Sequence, residues 1–256
     1  ELRSNYLPIY DVNYNQKKPF EKISNKSNNY ILECFNEAIK LIKNKKISGF
    51  INCPIKKETF FGKKHKGVTE FLSKKSKKDG HEVMLIFNKK LSVSPITTHI
   101  PIKKVSSEIK KNKIIKKVKI IDLFYRRVFN KKPKIAILGL NPHNFSPLKN
   151  FEEKRIINVA IKNLKKLRVN VAGPFPADSV FTIYRKYKFD VIVGMYHDQV
   201  LAPFKALFNH DAINITLGLP YIRVSPDHGV AEGIVAKKIA NPKSLLESIK
   251  FFNYIK

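Results

Sequence analysis

A chain of 256 residues, 43% of them hydrophobic, is long enough to bury a sizeable core and too apolar to stay disordered. No apolar run approaches the ~20 residues of a membrane-spanning helix, and Glu1-Leu2-Arg3-Ser4 leads into no apolar signal segment. The formal net charge of +30 raises nucleic acid or an anionic membrane as a partner. Its distribution argues for a solvated basic surface instead. Lysines are scattered in pairs such as Lys17-Lys18, Lys74-Lys75 and Lys165-Lys166, and arginine, the preferred base reader, is scarce. Such a surface attracts small anions. Cys34 and Cys53, the two cysteines, have neither metal-ligand spacing nor partners for a disulfide framework, so a reducing cytoplasmic location is expected.

Residues 1–20 carry Pro8 and Pro19 and little periodicity. Helical spacing begins behind Ser27 and runs through Ile31, Phe35 and Ile39. Ile47 to Ile51 reads as a short strand ending in the polar turn Asn52-Cys53-Pro54. Thr69 sits where a helix could be capped. Val83 to Phe87 and Leu91 to Ile96 read as paired strands, the second an edge strand or a short one because of Pro95. Ser106 or Ser107 is expected to cap a long helix through Ile114, Val118, Ile121 and Phe124. Ile135 to Leu138 is a buried strand, Glu152 to Leu167 a helix, and Gly173 to Ser179 a rigid turn that opens another helix. The last helix, after Asn241-Pro242, is expected to turn Leu245, Ile249 and Phe252 inward. Alternating helices and strands without repeats define an α/β class with a mostly parallel sheet flanked by helices.

The chemistry concentrates between Asp190 and Ala231. The apolar run Val191-Ile192-Val193 ends in Gly194-Met195-Tyr196-His197-Asp198-Gln199, which places polar groups at a strand's carboxyl end, where open α/β sheets bind ligands. Lys205, Asn214 and Arg223 follow, a cation, an amide and a guanidinium that would hold a phosphate or carboxylate if they converge. Two further strands end near an imidazole, at His99 and His143. If the three strands are neighbours, His99, His143 and His197 form a candidate divalent-metal site. Taken singly, each reads more simply as a hydrogen-bonded turn residue.

The words Tyr196-His197-Asp198-Gln199, Asn214-Ile215-Thr216-Leu217-Gly218-Leu219-Pro220 and Asp227-His228-Gly229 resemble the PdxA family of 4-hydroxythreonine-4-phosphate dehydrogenases. So do Thr97-Thr98-His99-Ile100-Pro101, Gly139-Leu140-Asn141-Pro142-His143 and Gly173-Pro174-Phe175-Pro176-Ala177-Asp178, while Asn52 to Lys57 is similar to an early loop of that family. The resemblance runs from about residue 30 to the C-terminus. It implies an isocitrate/isopropylmalate dehydrogenase-like fold in one catalytic region, 1–256, with approximate subdomains 1–65 plus 215–256, and 66–214, around a cleft. It also implies NAD, a divalent metal (zinc, cobalt or magnesium) on His99, His143 and His197, and a small phosphorylated hydroxy-amino acid as substrate. Thr69, Lys205, Asn214 and Arg223 would bind that substrate, with Asp178 and Lys205 catalytic. A homodimer with the site at its interface follows from the same resemblance, and the cofactor-binding residues stay unassigned.

Three departures accompany it. The family's glycine-rich opening loop has no counterpart, so a truncated or divergent member is expected. Gly67-Val68-Thr69 stands where the family has Gly-His-Thr, with His65 nearby as a stand-in or a solvated residue. Asn144-Phe145-Ser146-Pro147 replaces a glycine-rich acidic run. A dehydrogenase of another phosphorylated hydroxy acid, of threonate or erythronate type, and a weakened metal- or anion-binding homologue are the alternatives.

Overall fold

Along the central strands, side chains alternate between two apolar faces, and each face demands its own layer of helices. The computed structural model, which describes residues 6–62, 67–145, 151–209 and 211–255, meets that demand with a three-layer α/β arrangement. Its strands are β1 (Gly49–Ile51), β2 (Val83–Phe87), β3 (Ser92–Pro95), β4 (Ile135–Leu138), β5 (Val171–Phe175), β6 (Val191–Gly194), β7 (Ile213–Leu217) and β8 (Ile222–Pro226). They form one sheet of eight strands in the order β1-β8-β7-β2-β3-β6-β4-β5. The helices are α1 (Asn28–Lys43), α2 (Lys57–Phe61), α3 (Val68–Lys75), α4 (Val105–Glu108), α5 (Lys111–Phe129), α6 (Asn158–Lys166), α7 (Ala177–Tyr187), α8 (His197–Phe208) and α9 (Lys243–Phe251).

Ile135 and Ile137 of β4 face one way, onto Ile114, Val118 and Ile121 of α5, Leu164 of α6 and Phe251 of α9. Ala136 and Leu138 face the other way, onto Val180 of α7 and Val200 and Phe204 of α8. An aromatic cluster of Phe35, Phe61 and Tyr221, joined by Leu72, packs α1, α2 and α3 together. Truncating a fully buried isoleucine such as Ile137 to alanine should cost about 2–5 kcal/mol, because the rigid layers cannot collapse onto the gap. Among the described residues no helix is long and apolar enough to cross a membrane.

β3, β6 and β4 are adjacent and parallel, so their carboxyl ends lie side by side. β2 and β3 pair as expected, in antiparallel sense, and of the two expectations for β3 it is the short strand that holds: it has four residues and is internal rather than at an edge. Pro95 is tolerated because it falls on the last residue, where Ile96 takes over by donating to the Gly194 carbonyl (2.8 Å). The expected serine cap also fails. The chain breaks at Ile109-Lys110, so α5 starts on Lys111 without a side-chain cap, while the Ser106 hydroxyl goes to Glu152 and that of Ser107 to the Lys104 carbonyl. Gly173 to Phe175 is strand rather than turn. On α9 the buried residues are Ser244, Ser248 and Phe251, and Ile249 is exposed. The serines win the inner face because Ser244 donates to the Ala212 carbonyl (2.6 Å) and accepts from the Asp227 N–H (2.9 Å), ties that an apolar side chain cannot make.

Candidate active site

A cavity of about 470 Å³ opens over the carboxyl ends of the central strands. Arg223, on β8, is buried in its wall. Its Nε donates to Asn52 Oδ1 (2.6 Å) and an Nη to Thr216 Oγ1 (2.9 Å), both neutral groups. Asn52 is held in place by its own N–H, which donates to the Val224 carbonyl (3.1 Å). Burial pushes the Arg223 guanidinium down to about 10, against the favourable charges of Tyr221 and Glu70, so it remains a cation at neutral pH. A buried cation hydrogen-bonded to neutral partners is costly alone and suited to an anionic ligand.

Two expected partners line the same cavity. Lys205, one turn from the end of α8, pairs with Asp227 (3.3 Å). Asn214 reaches in from β7, and its Oδ1 is buried with no hydrogen-bond partner among the described residues. A carboxamide can be turned end over end, so this position can also present N–H groups to an anion. Thr69 is not a cap. Its hydroxyl lies 3.2 Å from that of Thr216, which links α3 to the Arg223 wall.

His99 and His197 share the cavity with their ring centroids 5.8 Å apart. Each follows its strand as expected, and the two strands are neighbours. His197 begins α8, with Nδ1 2.7 Å from Asp198. His99 Nδ1 lies 3.8 Å from Glu70. Burial pulls the Glu70 carboxyl upward, but its pairing with His99, its backbone N–H and the charges of His99 and Lys57 outweigh this and leave it below the usual range. The turn past β6 is clamped by Gln199, which accepts from the Met195 N–H (2.6 Å) and donates to the Gly139 carbonyl (2.8 Å). Gly194 lets it approach, since a Cβ there would stand 2.9 Å from Gln199 Oε1 and 2.5 Å from Val200.

His143 and Asp178 lie apart from this cavity and beside each other, 3.7 Å between ring and carboxylate, with side chains 79% and 64% exposed. The loop that carries His143 is fixed from beneath by buried Glu153, whose carboxylate accepts from the N–H groups of Leu140 (2.7 Å) and Asn141 (2.8 Å). Among the described residues, no three metal-ligating side chains of one chain gather at a point. One chain therefore unites Thr69, His99, His197, Lys205, Asn214 and Arg223, and sets His143 and Asp178 in a second cluster. His65, Ser146 and Pro147 lie outside the described residues.

Sequence reasoning passed over Asn52, Glu70, Thr216, Glu82 and Lys117, all of which hold or line this site. Asn52 and Thr216 stand inside words that resemble the family's, and Lys117 stands in the apolar stripe of α5 between Ile114 and Ile121.

The strand order, the flanking helices and a carboxyl-edge cleft define an isocitrate dehydrogenase-like α/β protein. The isocitrate dehydrogenase of Methylococcus capsulatus superposes with a TM-score of 0.53 at 13% identity, covering 88% of this chain and 74% of that one, a likeness of fold alone. The chain itself belongs to the PdxA family, matching the model of "Pyridoxal phosphate biosynthetic protein PdxA" over residues 2–252. It is 40% identical over 248 residues to the 4-hydroxythreonine-4-phosphate dehydrogenase of Sulfurihydrogenibium sp. (strain YO3AOP1), covering 94% of this chain and 76% of the relative. It is 35% identical to that of Bradyrhizobium diazoefficiens, covering 86% of this chain and 66% of the relative. The solved 4-hydroxythreonine-4-phosphate dehydrogenase of Klebsiella pneumoniae superposes with a TM-score of 0.80 at 31% identity, covering 92% of this chain and 73% of that one. The chain thus spans 66% to 76% of the length of these curated relatives.

Proposed function

We propose that the chain is an NAD-dependent 4-hydroxythreonine-4-phosphate dehydrogenase. It would oxidise the carbinol of 4-phosphohydroxy-L-threonine and release carbon dioxide to give 3-amino-2-oxopropyl phosphate for pyridoxal phosphate synthesis. The observation that carries this reading is the buried Arg223 guanidinium beside Lys205 and Asn214, in one cavity with two imidazoles.

Arg223 uses two of its donors on Asn52 and Thr216, which fix the plane of the guanidinium and leave other N–H groups for a phosphate. Lys205 adds a point charge, and Asn214 a dipole that turns to suit the ligand. With the phosphate held there, the carbinol lies toward His99 and His197. These two imidazoles fit a divalent cation as part of its donor set, completed by His143 of a second copy. When bound, that cation supplies Lewis-acid polarisation of the carbinol oxygen. The pairing of His143 with Asp178 supports the two-copy reading, since the two residues that one chain leaves outside the cavity travel together.

An apolar cavity of about 980 Å³, lined by Phe20, Val230, Ile234 and Ile239, meets the anion cavity at Pro54, His228 and Gly229. It is the place we assign to NAD, which accepts the hydride when bound. The test is formation of NADH from 4-phosphohydroxy-L-threonine by the purified chain with divalent metal. Turnover is expected, and none would overturn the reading. Val68, an apolar residue in the cavity wall where the family's word carries histidine, favours a second reading: a phosphorylated threonate or erythronate as the better substrate. The same assay with those compounds decides it by kcat/KM.

A further inference from the structure

Ile114, Val118, Ile121 and Tyr125 form the buried stripe of α5. At 3.6 residues per turn, position 117 falls in that stripe, one turn after Ile114 and one before Ile121. A lysine there is expensive, because an ammonium is drawn out of water. Its side chain reaches the anion cavity and also lines a second cavity of about 470 Å³, whose rim carries exposed Lys104 and Lys116. The two cavities meet along Glu70, Glu82, His99 and Lys117. Lys117 therefore stands at a seam between the substrate cavity and a basic outer one.

Two other cations of the site have partners: Lys205 has Asp227, and Arg223 has Asn52 and Thr216, while Lys57 lies exposed at the cavity's edge. Among the described residues no carboxylate lies within ion-pair distance of Lys117. Glu82, facing it from the approach to β2, accepts instead from the Ser73 hydroxyl (2.9 Å). Burial, with help from Lys113 and Lys116 on the same helix, pushes the Lys117 ammonium down to about 8, while Glu82 and Glu70 on α3 pull the other way. The amine thus has both protonation states within reach near neutral pH.

A role for this amine rests on the dehydrogenase reaction proposed above, which needs a proton carrier. As the carbinol C–H passes its hydride to NAD, the O–H must give up a proton to a base. The β-keto acid then loses carbon dioxide, and the electrons of the broken C–C bond become the enolate of the remaining ketone. The α-carbon of that enolate must take one proton. One proton leaves oxygen and one arrives on carbon, so a single amine can carry it between them with no net change.

We propose that Lys117 is this catalytic acid–base group: its neutral amine takes the carbinol proton, and the resulting ammonium protonates the carbon that lost carbon dioxide. The test uses the full chain with NAD, divalent metal and 4-phosphohydroxy-L-threonine. Lys117→Ala should lower kcat by about 10²–10⁴-fold with KM within about threefold, as for loss of a general acid–base group. Added ethylamine should restore part of the rate, in proportion to its neutral form. Lys117→Met, which fills the apolar stripe, should fold and be equally slow, with no rescue. Wild-type kcat in either variant, or a loss in Lys117→Ala that ethylamine leaves unchanged, would overturn the assignment. A wild-type chain that makes no NADH would refute the reaction itself, a different result from turnover unharmed by the substitution. Independently of turnover, acetylation of Lys117 followed by mass spectrometry should show a midpoint near 8. A midpoint near the ordinary lysine value of about 10.4 would count against the assignment.

Discussion

The two polar clusters at the carboxyl edge of the sheet are built differently. Around Arg223, two hydrogen bonds to neutral partners fix the plane of a buried guanidinium and leave its other N–H groups open, so the site is held in place before any ligand arrives. Around His143 the imidazole and the Asp178 carboxylate stand mostly in water, on a loop whose backbone is firmly held by Glu153 but whose side chains have no wall to face. A pre-formed pocket beside an exposed but rigidly mounted pair is what a site divided between two copies requires. On the proposed reading, each copy keeps the anion half closed and offers the other half to its partner.

The largest expected effect separates the halves by their ligand. Arg223→Ala should raise KM for the phosphorylated substrate by about two to three orders of magnitude, since losing one partner of a buried charge contact costs ~2–5 kcal/mol. An unchanged KM would move the phosphate elsewhere. Thr216→Val should raise KM about tenfold, because a hydrogen bond to a charged group is worth ~1.5–3 kcal/mol. It removes the hydroxyl that steers Arg223 and lies beside Thr69. Steady-state kinetics of both variants checks the order.

The clusters should also differ in what they do for stability. Ser244→Ala leaves the Asp227 N–H and the Ala212 carbonyl without their shared partner. A cost of about 1–3 kcal/mol should appear as a fall in Tm of several degrees. Asp178→Ala, at an exposed position, should leave Tm almost unmoved while turnover falls. The smallest effect is on pH dependence. The Glu70 carboxyl is depressed in the folded chain, so its contribution is complete above the usual glutamate value of about 4.3 and disappears as pH falls through the lower folded value. Thermal melts of Glu70→Gln should therefore lose part of the wild type's acid sensitivity below about pH 4. Equal acid sensitivity would show that the His99 pairing contributes nothing.

Much of this is legible in the chain alone. The β-branched runs ending at Pro95, Leu138 and Gly194 announce buried strands, and the imidazoles after them mark the ligand edge. The residue types of Lys205, Asn214 and Arg223 say what they would bind if they converged, but not who their partners are: Asn52 lies 171 positions from Arg223 and meets it only through the pairing of β1 with β8. The phase of α9 differs from its apolar pattern because hydrophobic periodicity gives no weight to serines that hydrogen-bond inward. Lys117 is visible as a charge in an apolar stripe, yet only the cavities show that a half-buried lysine there faces a site rather than a packing fault. The separation of His143 from His99 and His197 is beyond sequence pattern, since β4 and β3 flank the same strand and adjacency alone does not say which way a loop carries its side chain.

The divided site is tested most directly by mixing two impaired chains. His143→Ala and Arg223→Ala, each almost without turnover alone at a substrate concentration near the wild-type KM, should together regain roughly a quarter of wild-type activity after equimolar unfolding and reassembly. Random pairing makes half the dimers mixed, and each mixed dimer holds one intact site of two. Persistent inactivity of the mixture, with mixed dimers verified by mass spectrometry, would contradict a site shared between copies.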